Sequence, residues 1–289
     1  EIPANLIPPN SAPVKIALGD IRTTDALTIE IASKDKEFSH IDSQLAFTTS
    51  NSIHVQPLYA ALLSFAECLR TASHSFLNID PDELVVGIRQ GPSSHPNFRL
   101  GQIYLADAHA NGAGYSIELG DHLIFDKLLS RIEEDFSAKW SQSSHLICDT
   151  SCPDCLRTYS NRTSHPWLDW KLALDILDAS RGRAMDNNRW IPQALELARN
   201  LKEGLASSLQ DVSVIETKSG WPVISSKEMQ RAILIGHPLW IKENQFGGET
   251  SQSILAEACG LTQISSTTTS DPFTLARNPF QVLRSLFAL

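Results

Sequence analysis

The sequence predicts an α+β fold in which helices and short β-sheet segments surround a cysteine-rich knuckle. Three observations carry this. Apolar stripes at helical spacing and short alternating segments occur in separate runs, without a regular βαβ repeat. Hydrophobic residues make up 42% and charged residues 20% of the 289 residues, a composition that can bury a real core. Three of the five cysteines, Cys148, Cys152 and Cys155, fall within eight residues.

The elements come in this order. Residues 14–31 read as extended pieces around a turn at Gly19-Asp20, with Leu27, Ile29 and Ile31 alternating. Asn51–Leu77 is predicted as a helix, with Pro57 near its start and a stripe of Leu58, Leu62, Phe65, Leu69 and Phe76. After the turn Asp80-Pro81-Asp82, Leu84–Arg89 and Gln102–Ala106 form a hairpin of two strands. A glycine-rich turn at 107–114 leads into a helix over Ser116–Ala138. Gly112 and Gly114 supply positive φ there, and an anion site at the helix N-terminus competes with a plain tight turn. Trp167–Ser180 and Ile191–Ser208 are helices, Val212–Ile215 and Ala232–Ile235 short buried strands, and Ser253–Cys259 a short helix.

The net charge of −9 lies entirely in the first half. Residues 1–150 carry 10 Lys+Arg against 19 Asp+Glu, and residues 151–289 carry 14 against 14. That argues against a stand-alone nucleic-acid binder with a broad basic face. No apolar run reaches about 18 residues, so no membrane span is expected. The start, EIPANLIPPNSAP, has neither a basic n-region nor an apolar h-region, so no secretory signal is expected. An odd cysteine count without such a signal points to free thiols in a reducing cytoplasm, not to disulfides.

Cys148-Asp-Thr-Ser-Cys152-Pro-Asp-Cys155 carries the chemistry. A Cys-x-x-Cys turn presents two thiolates to one metal ion, and Cys148 adds a third sulfur from the preceding turn. A closed structural zinc site needs a fourth ligand, for which His165, His145 and Cys68 are candidates. His165 is the favoured one, because a polar loop, Ser160–Ser164, can fold it back toward Cys155. The same string has the C-x-x-x-C-x-x-C spacing of radical SAM iron–sulfur proteins. Only 134 residues follow Cys155, however, and they begin with two helices where a βα barrel is needed.

The stretch CDTSCPDCLRTYSNRTSHPWLDWKLALDIL resembles the cysteine-rich signature of the zinc-binding C-terminal domain of MrfA-type superfamily-two DNA helicases. It is also similar to parts of helicase-like proteins of anti-phage defence systems such as DISARM and Druantia. The resemblance extends to His54-Val-Gln-Pro-Leu58, Asn78–Leu84, Tyr104–Asp107 with Asn111–Tyr115, His237-Pro-Leu-Trp240 and Asp271–Arg277. It covers residues 45–180 well and 181–289 loosely. The family commonly has a fourth cysteine two positions before the residue matching Cys148, where this chain has Leu146.

The resemblance implies a zinc cofactor and a non-catalytic module of a helicase or translocase in phage defence or DNA repair. Its partners would be DNA through the parent helicase, the motor domains and a defence-system subunit, with no membrane. Three parts are expected: an extended segment over 1–44 that ends a preceding domain, a zinc-binding domain over 45–185 and a C-terminal subdomain over 186–289. The chain has no G-x-x-x-x-G-K-[ST] loop, so the ATPase motor is expected in an N-terminal part beyond it. Arg157 and Arg162, beside Tyr159, are the candidate nucleic-acid contacts. A rival reading makes Asp211, Glu216 and Lys218 a Mg²⁺-dependent nuclease centre. Strand alternation sets those two acids, five apart, on opposite faces. His54 and His237, near prolines at element boundaries, are expected to be structural.

Overall fold

The computed structural model describes residues 21, 23–34, 38, 44–48, 56–140, 142, 145, 148–206, 209, 211–240, 249–280 and 283. The expected turn at Gly19-Asp20, the first residues of the helix expected from Asn51, His54 and Leu146 lie outside them. Two mixed layers result. The first sheet contains β1 (Ala26–Glu30), β2 (Ala46–Thr48), β3 (Leu84–Gly91) and β4 (Phe98–Asp107). Long β4 is its spine. β3 pairs antiparallel along most of it on one side, while β1 and β2 share the other side end to end.

Helix α1 (Gln56–Leu77) lies across this sheet and is buried over nearly its whole circumference. Its small residues Ala60, Ala61, Ala66 and Ala72 let neighbours approach, and Leu62, Phe65 and Leu69 fill the space between. Full burial of each of these larger side chains stabilises by about 1.5–3 kcal/mol. The approach also needs Gly101 in β4, because a Cβ there would sit 2.6 Å from Leu62 Cδ1.

The single helix expected over Ser116–Ala138 is broken. It consists of α2 (Tyr115–Leu119), α3 (His122–Ile132), a π-helical turn (Glu133–Ser137) and short α4 (Ala138–Trp140). Gly120 ends α2, and Asp121 starts α3 by accepting the N–H groups of Leu123 and Ile124 at 2.9 and 3.1 Å. The π turn takes one more residue than an α turn, so it rotates the next segment by about 100°.

After the cysteine segment, a 3₁₀ stretch (Arg162–Trp167) precedes α5 (Trp170–Ser180), which packs along α1, and then α6 (Ile191–Leu205). The second sheet has the order β5 (Val212–Glu216), β6 (Pro222–Ser226), β7 (Arg231–Ile235), β8 (Thr267–Ser270). The first three are antiparallel, and β8 pairs parallel with β7 after the crossover helix α7 (Glu249–Thr262). Helix α8 (Pro272–Arg277) follows β8. Strands β6 and β8 are not predicted from the sequence. β6 opens on Pro222 and is buried at all five positions, so it shows no alternation. β8 is Thr-Thr-Thr-Ser.

One hydrophobic cluster includes residues from Ile29 to Leu283 and so joins both sheets. Asp175 of α5 is the polar hub of the junction. It accepts from Trp190 Nε1 at 2.8 Å, pairs with Arg189, and lies 3.3 Å from His237 Nε2. His237 is fully buried, and its Nδ1 accepts the N–H of Leu239 at 3.1 Å. No helix among the described residues is long and apolar enough to cross a membrane.

Candidate metal centre

His145, Cys148, Cys152 and Cys155 converge, with their ligand atoms all within 4.8 Å of one another. Local backbone geometry explains three of them. Cys155 N–H and Arg157 N–H both donate to Cys152 O at 3.1 Å, closing the Cys-Pro-Asp-Cys turn. Cys148 enters through a turn in which its N–H donates to His145 O at 2.9 Å. That same bond carries His145 into the cluster, for its own N–H donates to Gln142 O at 2.9 Å, just past α4.

His145 Nε2 lies 3.3 Å from Cys152 Sγ. In a tetrahedral zinc site, bond lengths of about 2.3 Å to sulfur and 2.0 Å to nitrogen put such a pair about 3.5 Å apart. The donor set therefore fits a four-coordinate metal ion. The thiols are also crowded. Burial, then neighbouring Cys155 and Cys152, pushes the Cys148 thiol up to about 12. Burial and Cys152 likewise raise Cys155, against the backbone N–H of Cys152, which lowers it. A dication reverses this by favouring the thiolates.

The fourth member of the cluster is thus His145, where the spacing of the sequence favours His165. His165 Nε2 lies 2.9 Å from Thr158 O and 3.0 Å from Asn161 Oδ1. Both are acceptors, so that nitrogen carries a proton and braces the loop. Cys68, the third candidate, is buried in α1, and burial, then Cys155 and Glu67, holds its thiol well above the usual range. His145 stands one position before Leu146, where the resembling family commonly has its first cysteine.

The frame around the cluster comes from three helices. From α5, Trp170 donates its N–H to Thr150 O and its Nε1 to Cys148 O, both at 2.8 Å, while Lys171 Nζ donates to Asp149 O at 2.6 Å. Trp170 stacks on Trp140 of α4, with centroids 5.4 Å apart and planes at 19°. From α1, Arg70 is paired with Glu67 at 2.8 Å and donates to Ser160 Oγ and Thr158 Oγ1, both at 3.1 Å. The place of Trp170, close to the knuckle in the chain, foreshadows its role. Arg70 carries no such signal, since its partners lie about 90 positions away in the chain.

The glycine-rich turn holds a different device. Asn111, Gly112 and Gly114 all take positive φ. The N–H groups of Ala113, Gly114, Tyr115 and Ser116, with the Ser116 hydroxyl, donate to the Asp107 carboxylate at 2.6–3.2 Å. The anion at this helix N-terminus is therefore the chain's own Asp107.

The rival chemistries do not assemble. Asp211 Oδ1 accepts from Ser226 Oγ at 2.8 Å and its Oδ2 from Glu228 N at 2.6 Å, tying the β6–β7 turn. Glu216 stands at the other end of β5 in register with Pro222, about 17 Å away at strand rise. Lys218 is beyond that end, with its N–H on Glu257. A radical SAM site requires a parallel barrel, and among the described residues the sheets are antiparallel except for the β7–β8 pair. Arg157 is half-buried with Nε on Ser151 Oγ at 2.9 Å, and Arg162 is exposed.

Fold and site together define an α+β module with a Cys₃His cluster that could hold zinc. Residues 65–156 match the family model described as the MrfA Zn-binding domain, the family that the sequence resembles. Druantia protein DruE of Escherichia coli (strain UMEA 4076-1) is 29% identical over 165 residues, which is 56% of this chain. The match takes in 8% of DruE's length, so the chain spans a small part of that relative. The crystal structure of the DUF1998 helicase MrfA bound to DNA aligns at 21% identity and a TM-score of 0.30, over 47% of this chain and 16% of the other.

Proposed function

We propose that this chain is the zinc-binding, non-catalytic module of a DNA helicase or translocase working in phage defence or DNA repair. The observation that carries the reading is the closed donor set. His145, Cys148, Cys152 and Cys155 supply four protein ligands, the number that fills a structural zinc site and leaves no open position for water or substrate. The match to the MrfA Zn-binding domain supports zinc as the ion and a helicase as the parent. The similarity to a Druantia protein supports the defence setting. The module's work is to brace the motor, guide DNA or dock a partner subunit of the system, with Arg157 and Arg162, on the loop beside the knuckle, as the candidate nucleic-acid contacts. No phosphate-cradling lysine loop occurs in the sequence, so ATP turnover belongs to a motor outside this chain.

The test is to purify the chain, measure its zinc, and incubate it with ATP and with single- and double-stranded DNA plus Mg²⁺ or Mn²⁺. The expected result is about one zinc per chain, neither cleavage nor ATP turnover, and DNA binding that is weak at physiological salt. Absence of zinc, or metal-dependent cleavage abolished by Glu216→Ala, would overturn it.

A further inference from the structure

The loop that leaves the metal knuckle carries contacts that the proposed zinc role does not use. Thr158 and Ser160 are exposed, but each hydroxyl lies 3.1 Å from the Arg70 guanidinium and accepts from it. Tyr159, between them, points out and is 83% exposed. A lone exposed aromatic is ordinary in itself. This one has a cation on one face and a rigid mount beneath it. The Arg162 guanidinium lies over the ring, 4.7 Å from its centroid. The mount is the buried Glu67–Arg70 pair, reinforced by Thr158 N–H on Asn161 Oδ1 at 2.8 Å and Asn161 Nδ2 on Leu156 O at 2.9 Å.

The surrounding charge is also particular. In a chain of net charge −9, residues 156–167 contain Arg157, Arg162 and His165 and no carboxylate. The ligand that fits is flat, presents a π-face, and carries negative charge beside it. A nucleobase on a phosphate backbone has all three properties. In a duplex the base faces are already stacked on their neighbours, so only an unpaired base can use the ring.

We propose that Tyr159, backed by Arg162, is a stacking platform for a base of single-stranded nucleic acid, with Arg157 and Arg162 set for the adjoining phosphates. This rests on the reading that the knuckle meets DNA and names the residue, the contact and the strand form. The ring adds affinity through stacking that a salt gradient does not screen, whereas the arginines add the salt-dependent part.

The experiment uses the zinc-loaded 289-residue chain with two labelled probes at about 50 mM salt: an oligothymidylate of about 16 nucleotides and a duplex hairpin. Tyr159→Ala is expected to weaken the single-strand complex about fivefold or more, and Tyr159→Phe to stay within about twofold of the unaltered chain. Neither changes duplex binding or the salt slope, whereas Arg162→Ala reduces the slope by about one. Unchanged zinc content and thermal midpoint in Tyr159→Ala confirm that the loop is intact. Single-strand affinity unaltered in Tyr159→Ala overturns the platform, leaves the arginine contacts standing, and turns the ring over to a protein interface. Failure of the unaltered chain to bind either probe overturns the DNA-contact reading and the platform with it.

Discussion

His145 Nε2 and Cys152 Sγ stand 3.3 Å apart, although seven positions separate them in the chain. They meet because α4 ends in a turn that directs His145 back over the knuckle, and Trp140 anchors that turn by stacking on Trp170. The relationship selects His145 where the sequence favours His165.

His145→Ala is therefore expected to lower zinc content well below the one ion per chain of a closed site, and Cys152→Ser to do the same with loss of folded protein. His165→Ala is expected to keep its zinc and lose only loop bracing, about 1 kcal/mol for its hydrogen bonds. Elemental analysis of the three purified variants checks this, and zinc retained in His145→Ala would return the fourth position to another residue.

Asp107 gathers four backbone N–H groups and a hydroxyl. Burial pushes its carboxyl up, but the Ser116 hydroxyl and the N–H groups of Ser116, Ala113 and Gly114 outweigh it and hold it below the ordinary carboxylate value. Asp107→Ala is expected to cost about 2–4 kcal/mol, because it strands the buried Ser116 N–H and hydroxyl and removes the acceptor of three part-buried N–H groups. A carboxyl depressed on folding contributes stability above its unfolded value of about 3.9, and the contribution fades as pH falls through the lower folded value. Urea unfolding should therefore separate Asp107→Asn from the unaltered chain clearly at pH 7 and much less below about pH 3.

Asp169 behaves in the opposite sense. Burial raises its carboxyl to about 6, against Lys171, Arg277 and the Lys171 N–H, which lower it, while Asp175 adds to the rise. A carboxyl raised on folding contributes stability below about pH 4, and this is lost as pH climbs through about 6. Asp169→Asn preserves an acceptor for the Lys171 N–H at 3.0 Å and removes the buried charge. The variant is expected to show a flatter stability profile between about pH 4 and pH 6, measured by urea unfolding across that window. An unchanged slope would show that another group dominates there.

The Glu67–Arg70 pair is 6–7% exposed. Arg70→Ala leaves a buried carboxylate without its partner and frees Thr158 and Ser160, at a cost of about 3–5 kcal/mol. The double change Glu67→Gln with Arg70→Met removes both charges and is expected to recover most of that loss. Thermal denaturation of the single and double variants distinguishes the two; equal destabilisation would mean that the hydroxyl contacts matter more than the charge.

Much of this protein is local, and local order is legible in a sequence. The stripe along α1, the β3–β4 hairpin and the positive-φ turn at Gly112 and Gly114 arise from periodicity and glycine stereochemistry. The break at Gly120-Asp121 is not read from the sequence, because the continuous apolar pattern around it conceals the stop and the cap. β6 offers no signal, because a strand buried on both faces loses the alternation by which strands are recognised.

The sequence by itself determined the three sulfur donors of the metal cluster. Cys152 and Cys155 are one turn apart and Cys148 one turn earlier, so the covalent chain alone holds them together. The choice of nitrogen was left to tertiary structure, acting on the local turn that keeps His145 within reach. Whether His145 or His165 faces the sulfurs depends on the rotation that a π turn imposes before α4, and on the Trp140–Trp170 stack that holds the result. It depends equally on the two acceptors, Thr158 O and Asn161 Oδ1, that draw His165 away. The rotation and the stack are set by packing between separate elements, where spacing carries no information about direction.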